Sequence, residues 1–150
     1  MKEIKTIIHI HAPAYIVWET LMNFQDYPHW NPFIREIKGN ADIGEKISVT
    51  ILPPNFEKPM TFTPNVLKRE KQKEFRWKGK LFMKGLFDGE HYFLISKLPN
   101  GSTSLIHGEL FSGFTVPFLN GILKKTELGL QQMNIALKEQ CEKKAKTQQN

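Results

Sequence analysis

The chain of 150 residues, 40% hydrophobic and 24% charged, has the composition of one globular domain with enough apolar mass for a core of its own. Its formal net charge of +6 would suit nucleic acid, but the cations are dispersed, with Lys68, Arg69, Lys71 and Lys73 at one turn and Lys143, Lys144 and Lys146 at the tail, so a solvated surface and no nucleic-acid partner are expected. The single cysteine, Cys141, excludes an internal disulfide and a multi-cysteine metal site, no apolar run approaches the ~18 residues that span a bilayer, and the charged, strand-like start is no signal peptide, so the expectation is a cytoplasmic domain without membrane insertion, monomeric or homodimeric.

Residues 2–11 alternate Ile4, Thr6, Ile8 and Ile10 against Lys5, Ile7, His9 and His11, the period of a strand. Ala12-Pro13 stops it. Residues 14–22 read as a short helix with Ile16, Val17, Leu21 and Met22 inward, and residues 23–30 as a second helical piece. That piece runs into the rigid corner Tyr27-Pro28-His29-Trp30-Asn31-Pro32. Strands are then expected at residues 33–38, 45–52, 60–67, 74–80, 86–97 and 102–112. Pro64 marks an edge or bulge in the third of these, and residues 70–72 a polar turn. The alternation is cleanest where Phe75, Trp77 and Gly79 oppose Arg76, Lys78 and Lys80. Asn100-Gly101 between the last two strands is a hairpin signal.

The last stretch, residue 118 to about 144, places Leu119, Leu123, Thr126, Leu130, Met133, Leu137 and Cys141 on one helical stripe. Pro117 precedes it, where a missing N–H is harmless. Gly121 and Gly129 interrupt it at a cost of about 1 kcal/mol each against Ala. Either the helix backbone there comes very close to a neighbour, or space is left beneath it. Residues 145–150 are expected to fray. The order is strand, two short helices, about six more strands, long helix. It predicts an α+β fold in a single domain, residues 1–150: a curved antiparallel sheet of about seven strands wrapped on the C-terminal helix, with a hollow between them.

Several short stretches resemble a known family. They are Val17-Trp18-Glu19-Thr20-Leu21, Tyr27-Pro28-His29-Trp30-Asn31-Pro32-Phe33, Gly44-Glu45-Lys46, Glu90-His91-Tyr92-Phe93, Gly101-Ser102-Thr103, His107-Gly108-Glu109-Leu110-Phe111-Ser112-Gly113 and Met133-Asn134. From about residue 5 to 142 the chain is similar to the START/Bet v 1-like (SRPBCC) superfamily of helix-grip proteins, within it the polyketide cyclase/dehydrase and lipid-transport group. The resemblance implies a deep apolar pocket between sheet and last helix, used for lipids, sterols, hormones or aromatic polyketides. Some members are cyclases or hydrolases, many only bind and carry, and related members bind chaperones. It supplies no catalytic motif to transfer.

His107 and Glu109 stand two apart on one strand and project from the same face, between Leu105 and Phe111. Such a pair can orient a ligand hydroxyl or act as acid and base. It can equally be a buried structural carboxylate, or face solvent. His91 joins that face if the hairpin loop is odd in length; otherwise Glu90 and Tyr92 do. The rings Trp30, Phe33, Phe62, Phe75, Trp77, Phe87, Phe93, Phe111, Phe114 and Phe118 are core first, and walls only if a void on the pocket scale of roughly 300–1,000 Å³ remains. His9, His11 and His29 fix no third metal ligand. Ser102, Ser104 and Ser112 lack a Gly-x-Ser-x-Gly setting, and Cys141, late in an exposed-leaning helix, makes no convincing nucleophile. No phosphate loop is present. No metal and no cofactor are expected.

The reading is a binder of a hydrophobic small molecule or lipid. Its expected walls are Trp30, Phe33, Phe62, Trp77, Phe93, Phe111, Phe114, Leu119, Leu123, Leu130 and Met133, with His91, His107 and Glu109 at the polar head and residues 53–58 and 114–117 as lids. A cyclase, dehydratase or hydrolase using His107 and Glu109 is the enzymatic alternative. A protein-interaction module with a filled core and an exposed apolar patch is the third.

Overall fold

The computed structural model describes residues 1–80, 88–113 and 120–149. Strand β1 (Lys2–Ile10) leads through Pro13 into α1 (Ala14–Met22). A single 3-10 turn at Phe24–Asp26 and the short α2 (Tyr27–Trp30) follow. Next come β2 (Ile34–Lys38), β3 (Ser48–Ile51), β4 (Met60–Phe62), β5 (Asn65–Glu70), β6 (Glu74–Lys80), β7 (Asp88–Lys97) and β8 (Thr103–Ser112), and last α3 (Asn120–Gln149). All pairings are antiparallel, in the order β1-β8-β7-β6-β5 and β2-β3-β4. A bridge between Lys46 and Asn65 joins the two sheets, with backbone bonds from Gly44 N to Val66 O at 2.8 Å and from Ile47 N to Pro64 O at 3.0 Å. The result is the expected α+β architecture of a curved sheet on a long helix.

Two boundaries differ from the sequence reading. Residues 60–67 are two strands, not one. Pro64 cannot donate to a ladder, and it is tucked over β6 so closely that a Cβ on Gly79 would lie 2.9 Å from Pro64 Cβ. The chain therefore turns there, and eight strands are found among the described residues. Helix α3 also continues past residue 144 to Gln149. Its last turns are covered by α1: Ala145 is buried, Tyr15 Oη donates to Gln148 Oε1 at 2.7 Å, and Lys144 Nζ to Thr20 Oγ1 at 3.2 Å. Tertiary contact thus holds residues that would fray alone.

The α3 stripe is buried as spaced, at Leu123, Thr126, Leu130, Met133, Leu137 and Cys141. Leu119, Pro117 and Phe118 lie outside the described residues. The two helix glycines answer differently. A Cβ on Gly129 would meet Phe33 Cδ1 at 2.4 Å, so the Phe33 ring packs directly against the helix backbone, whereas among the described residues nothing lies within 4 Å of one on Gly121.

Candidate functional site

The site is built from two rows across the concave face of the sheet. Register pairs Trp77 with His91, His91 with Glu109 and Glu109 with Ile4. One row along, it pairs Phe75 with Phe93, Phe93 with His107 and His107 with Thr6. The β7–β8 connection, residues 98–102, is odd in length, so His91 faces with Glu109 and His107 while Glu90 and Tyr92 project oppositely. Cross-strand neighbours lie close enough for their side chains to touch. Trp77 stacks on His91, with centroids 4.6 Å apart and planes at 8°, and Phe93 stacks on His107 at 4.3 Å and 21°.

Within these rings runs a buried polar chain. His91 Nδ1 lies 3.6 Å from Glu109 Oε2, and His91 Nε2 is 2.6 Å from His107 Nε2. His107 Nδ1 is 2.7 Å from Asn134 Oδ1 of α3. Asn134 Nδ2 donates to Thr6 Oγ1 at 2.8 Å, and Thr6 Oγ1 to the His107 carbonyl at 2.6 Å. All five residues are buried. Burial disfavours every charge here. It pushes the Glu109 carboxyl up to about 8 and His91 down to about 3. His107 falls well below 6.5, first through burial and then through His91 beside it, against the opposing pull of its bond to Asn134. At neutral pH the chain is uncharged.

Above its Glu109 end lies a hollow bordered by Phe33, Ile34, Ile51, Pro53, Met60, Phe62, Trp77, His91, Glu109, Phe111, Ile122 and Thr126. About 550 Å³ there is unfilled by atoms, the open mouth included, but the cavity itself is only about 30 Å³. That is a narrow slot with room for one or two waters, not the several-hundred-Å³ void expected.

Of the expected site residues, Phe33, Phe62, Trp77, His91, Glu109 and Phe111 border the slot. Trp30, Phe93, His107, Leu123, Leu130 and Met133 do not. Trp30 packs on Tyr27 at 5.2 Å, and Phe93 on His107. His107 stands behind His91 in the polar chain. Leu123, Leu130 and Met133 are spent on core packing, and the helix meets the slot through Thr126 of the stripe and Ile122 beside it. Phe114 and Leu119, like Phe87 and the lid at residues 114–117, lie outside the described residues. Pro53 of the other proposed lid borders the slot, and Lys125 Nζ of α3 sits 4.9 Å from the centroid of the Phe56 ring. Sequence reasoning missed Ile34, Ile51, Met60, Ile122 and Thr126 as walls, and Thr6 and Asn134 as members of the polar chain. The alternation of residues 45–52 and 60–67 placed Ile51 and Met60 on apolar faces, but nothing in it said which part of the core stays open.

The other candidates are structural. The His9 and His11 rings lie tilted at 49° with centroids 4.5 Å apart, and His9 Nε2 is 2.7 Å from Ser102 Oγ. Among the described residues no group of three or more His, Cys, Asp or Glu is placed to hold a metal ion. Cys141 is fully buried with the rest of its stripe, and burial pushes its thiol up to about 11. Arg69 pairs with Asp42 at 3.0 Å, and Lys68 with Glu74 at 3.5 Å. No described helix is long and apolar enough to cross a membrane.

Comparison with known proteins adds the family. A family model described as polyketide cyclase/dehydrase and lipid transport matches residues 1–142. No protein of curated function matches the sequence. Similar solved structures include a protein of Mesorhizobium loti (17% identity, 93% of this chain and 96% of that one, TM-score 0.73). A START superfamily protein of Mycobacterium smegmatis matches at 18% identity over 97% of this chain and 98% of that one, with a TM-score of 0.67. The Zhui aromatase/cyclase of Streptomyces sp. R1128 matches at 11% identity over 99% and 96%, with a TM-score of 0.69. At these identities the likeness is one of fold.

Proposed function

The chain belongs to the polyketide cyclase/dehydrase and lipid transport family, and from that membership we propose that it binds a hydrophobic small molecule or lipid in the slot between sheet and α3. The observation that carries this reading is the slot's lining. Its walls are mostly aliphatic and aromatic, with His91 and Thr126 the polar exceptions beside one buried, uncharged carboxyl. Few convergent polar groups in an apolar pocket are the usual form of a small-molecule site. A guest wider than water enters by displacing walls, so binding selects an opened minor state. The loop at residues 53–58 is the element proposed to move. Burial of apolar ligand surface drives binding at roughly 25 cal/mol per Å² before the costs of association.

Native mass spectrometry of the purified protein, with extraction of what co-purifies, tests this. A one-to-one adduct of an apolar molecule, recovered chemically unchanged, is the expected result. No adduct and no response to a panel of fatty alcohols, sterols and polycyclic aromatics would overturn it.

A second reading is enzymatic, and one observation favours it: Glu109 borders the slot with a pKa raised to about 8, in the range of a general acid. Its partner would be His91, which reaches the slot, and not His107, which does not. An enzyme would return the bound molecule altered, and E109Q would bind it without turnover.

A further inference from the structure

We infer that Glu109 selects the head group of the bound molecule: its carboxyl keeps the proton directed at His91 and offers its second oxygen to the ligand, so the slot takes a neutral hydrogen-bond donor, a hydroxyl or phenol, in preference to a carboxylate. This rests on the binding reading above and adds the chemistry of the ligand's polar end.

The direction of the polar chain follows from its far end. The His107 carbonyl can only accept, and Thr6 Oγ1 lies 2.6 Å from it, so the hydroxyl proton is spent there. Thr6 Oγ1 must then accept from Asn134 Nδ2 at 2.8 Å, which turns Asn134 Oδ1 to His107 Nδ1 at 2.7 Å. That nitrogen therefore carries the hydrogen, and in a neutral ring Nε2 of His107 is a lone pair. His91 Nε2, 2.6 Å away, must carry a hydrogen to bond it. Neutral His91 is thereby left with a lone pair on Nδ1, with Glu109 Oε2 3.6 Å away, just beyond hydrogen-bond length. A carboxylate there would face a lone pair in a buried site, whereas a neutral carboxyl can turn its proton toward it. The only titratable side chains in the chain behind Glu109 are His91 on β7 and His107 on its own strand β8. Around it β6 presents Trp77, β1 Ile4, and α3 Ile122 and Thr126. Burial is the one cause that moves its pKa, with no cation contributing. A ligand carboxylate would have to draw the proton away from His91 and bury a charge without a counter-ion. A hydroxyl donates to the free oxygen and disturbs nothing.

Three probes of one shape test this at pH 6.5: naphthalene, 2-naphthol and 2-naphthoate, the last ionised at that pH, each titrated into wild type, E109Q and E109L. In wild type 2-naphthol should bind about fivefold more tightly than naphthalene, and 2-naphthoate at least roughly tenfold more weakly than 2-naphthol. E109Q copies the neutral acid, its amide donating to His91 and its oxygen facing the ligand, and should keep the preference within about threefold. E109L should lose it and bind naphthalene and 2-naphthol alike. Naphthalene binding without preference for 2-naphthol, or E109Q behaving as E109L, overturns the inference and leaves the binding reading standing. Failure of all three probes overturns the binding reading and this inference with it. Should E109L not fold, ¹⁵N spectra of the wild-type histidines decide without variants. His107 protonated on Nδ1 and His91 on Nε2 alone is the expected pattern, and an imidazolium at His91 overturns it.

Discussion

His91 and His107 meet Nε2 to Nε2 at 2.6 Å, with both rings buried. Two imidazoles can share that contact only if one donates and the other accepts, so protonating the acceptor breaks it. The consequence for stability has a defined sign. His91 is held down to about 3 from 6.5, and His107 moves the same way. As pH falls below 6.5 the unfolded chain takes up protons the folded one refuses, and stability drops. Glu109 is held up to about 8 from 4.5. Between those values the unfolded chain has lost a proton that the folded one keeps, so stability falls as pH rises. The two histidines outweigh the one carboxyl below 6.5, and above it only Glu109 acts. The cluster therefore contributes most near pH 6.5 and declines towards 8 by at most about 1.4 kcal/mol per unit. Urea midpoints at pH 6.5, 7.25 and 8 should fall in wild type and stay level in E109Q. Parallel curves for the two proteins would contradict the assignment.

Asn134 is the link by which α3 holds this chain, through His107 Nδ1 and Thr6 Oγ1. Asn134→Leu keeps the volume and strands a buried N–H on His107. A loss of about 1–3 kcal/mol is expected, read as a lower urea midpoint at unchanged slope. A loss under about 0.5 kcal/mol would mean that the network relaxes onto other partners.

The helix glycines give a contrast of sign. Gly121→Ala meets nothing within 4 Å among the described residues and should stabilise by up to about 1 kcal/mol through helix propensity alone. Gly129→Ala drives its methyl into the Phe33 ring, with 2.4 Å to Cδ1, and Phe33 is itself buried. Overpacking of about 1–3 kcal/mol should outweigh the propensity gain. Thermal melts of the two variants should move in opposite directions.

What could be read from the chain alone divides by range. Period-two alternation put His107 and Glu109 on one face, and loop parity posed the right question for His91, because both depend on local geometry. The long helix followed from spacing alone. Asn134 was invisible as a site residue because its role depends on which α3 turn docks over β1 and β8. The split at Pro64 was only half legible. A proline can sit at a strand edge, and its place against Gly79 on another strand decided for a break. The width of the slot was least legible of all, since a composition rich in Phe is the same whether rings line a space or close it.

Thr126 offers the sharpest test of whether the slot is a site or a packing fault. It borders the slot, and among the described residues its hydroxyl donates only to the Ile122 carbonyl of its own helix at 2.9 Å. Thr126→Leu therefore strands no polar partner and fills open space. Burying the added carbons should stabilise the ligand-free protein by about 1 kcal/mol. If the slot takes the guest, naphthalene affinity should fall at least roughly tenfold, a difference of about 1.4 kcal/mol. Stability and binding would then move in opposite directions, as where a natural protein keeps an underfilled core for use. Higher stability with unchanged naphthalene affinity would place the guest elsewhere. A destabilised variant would show that the slot is already closed to a single extra methyl, and the binding reading would fail with it.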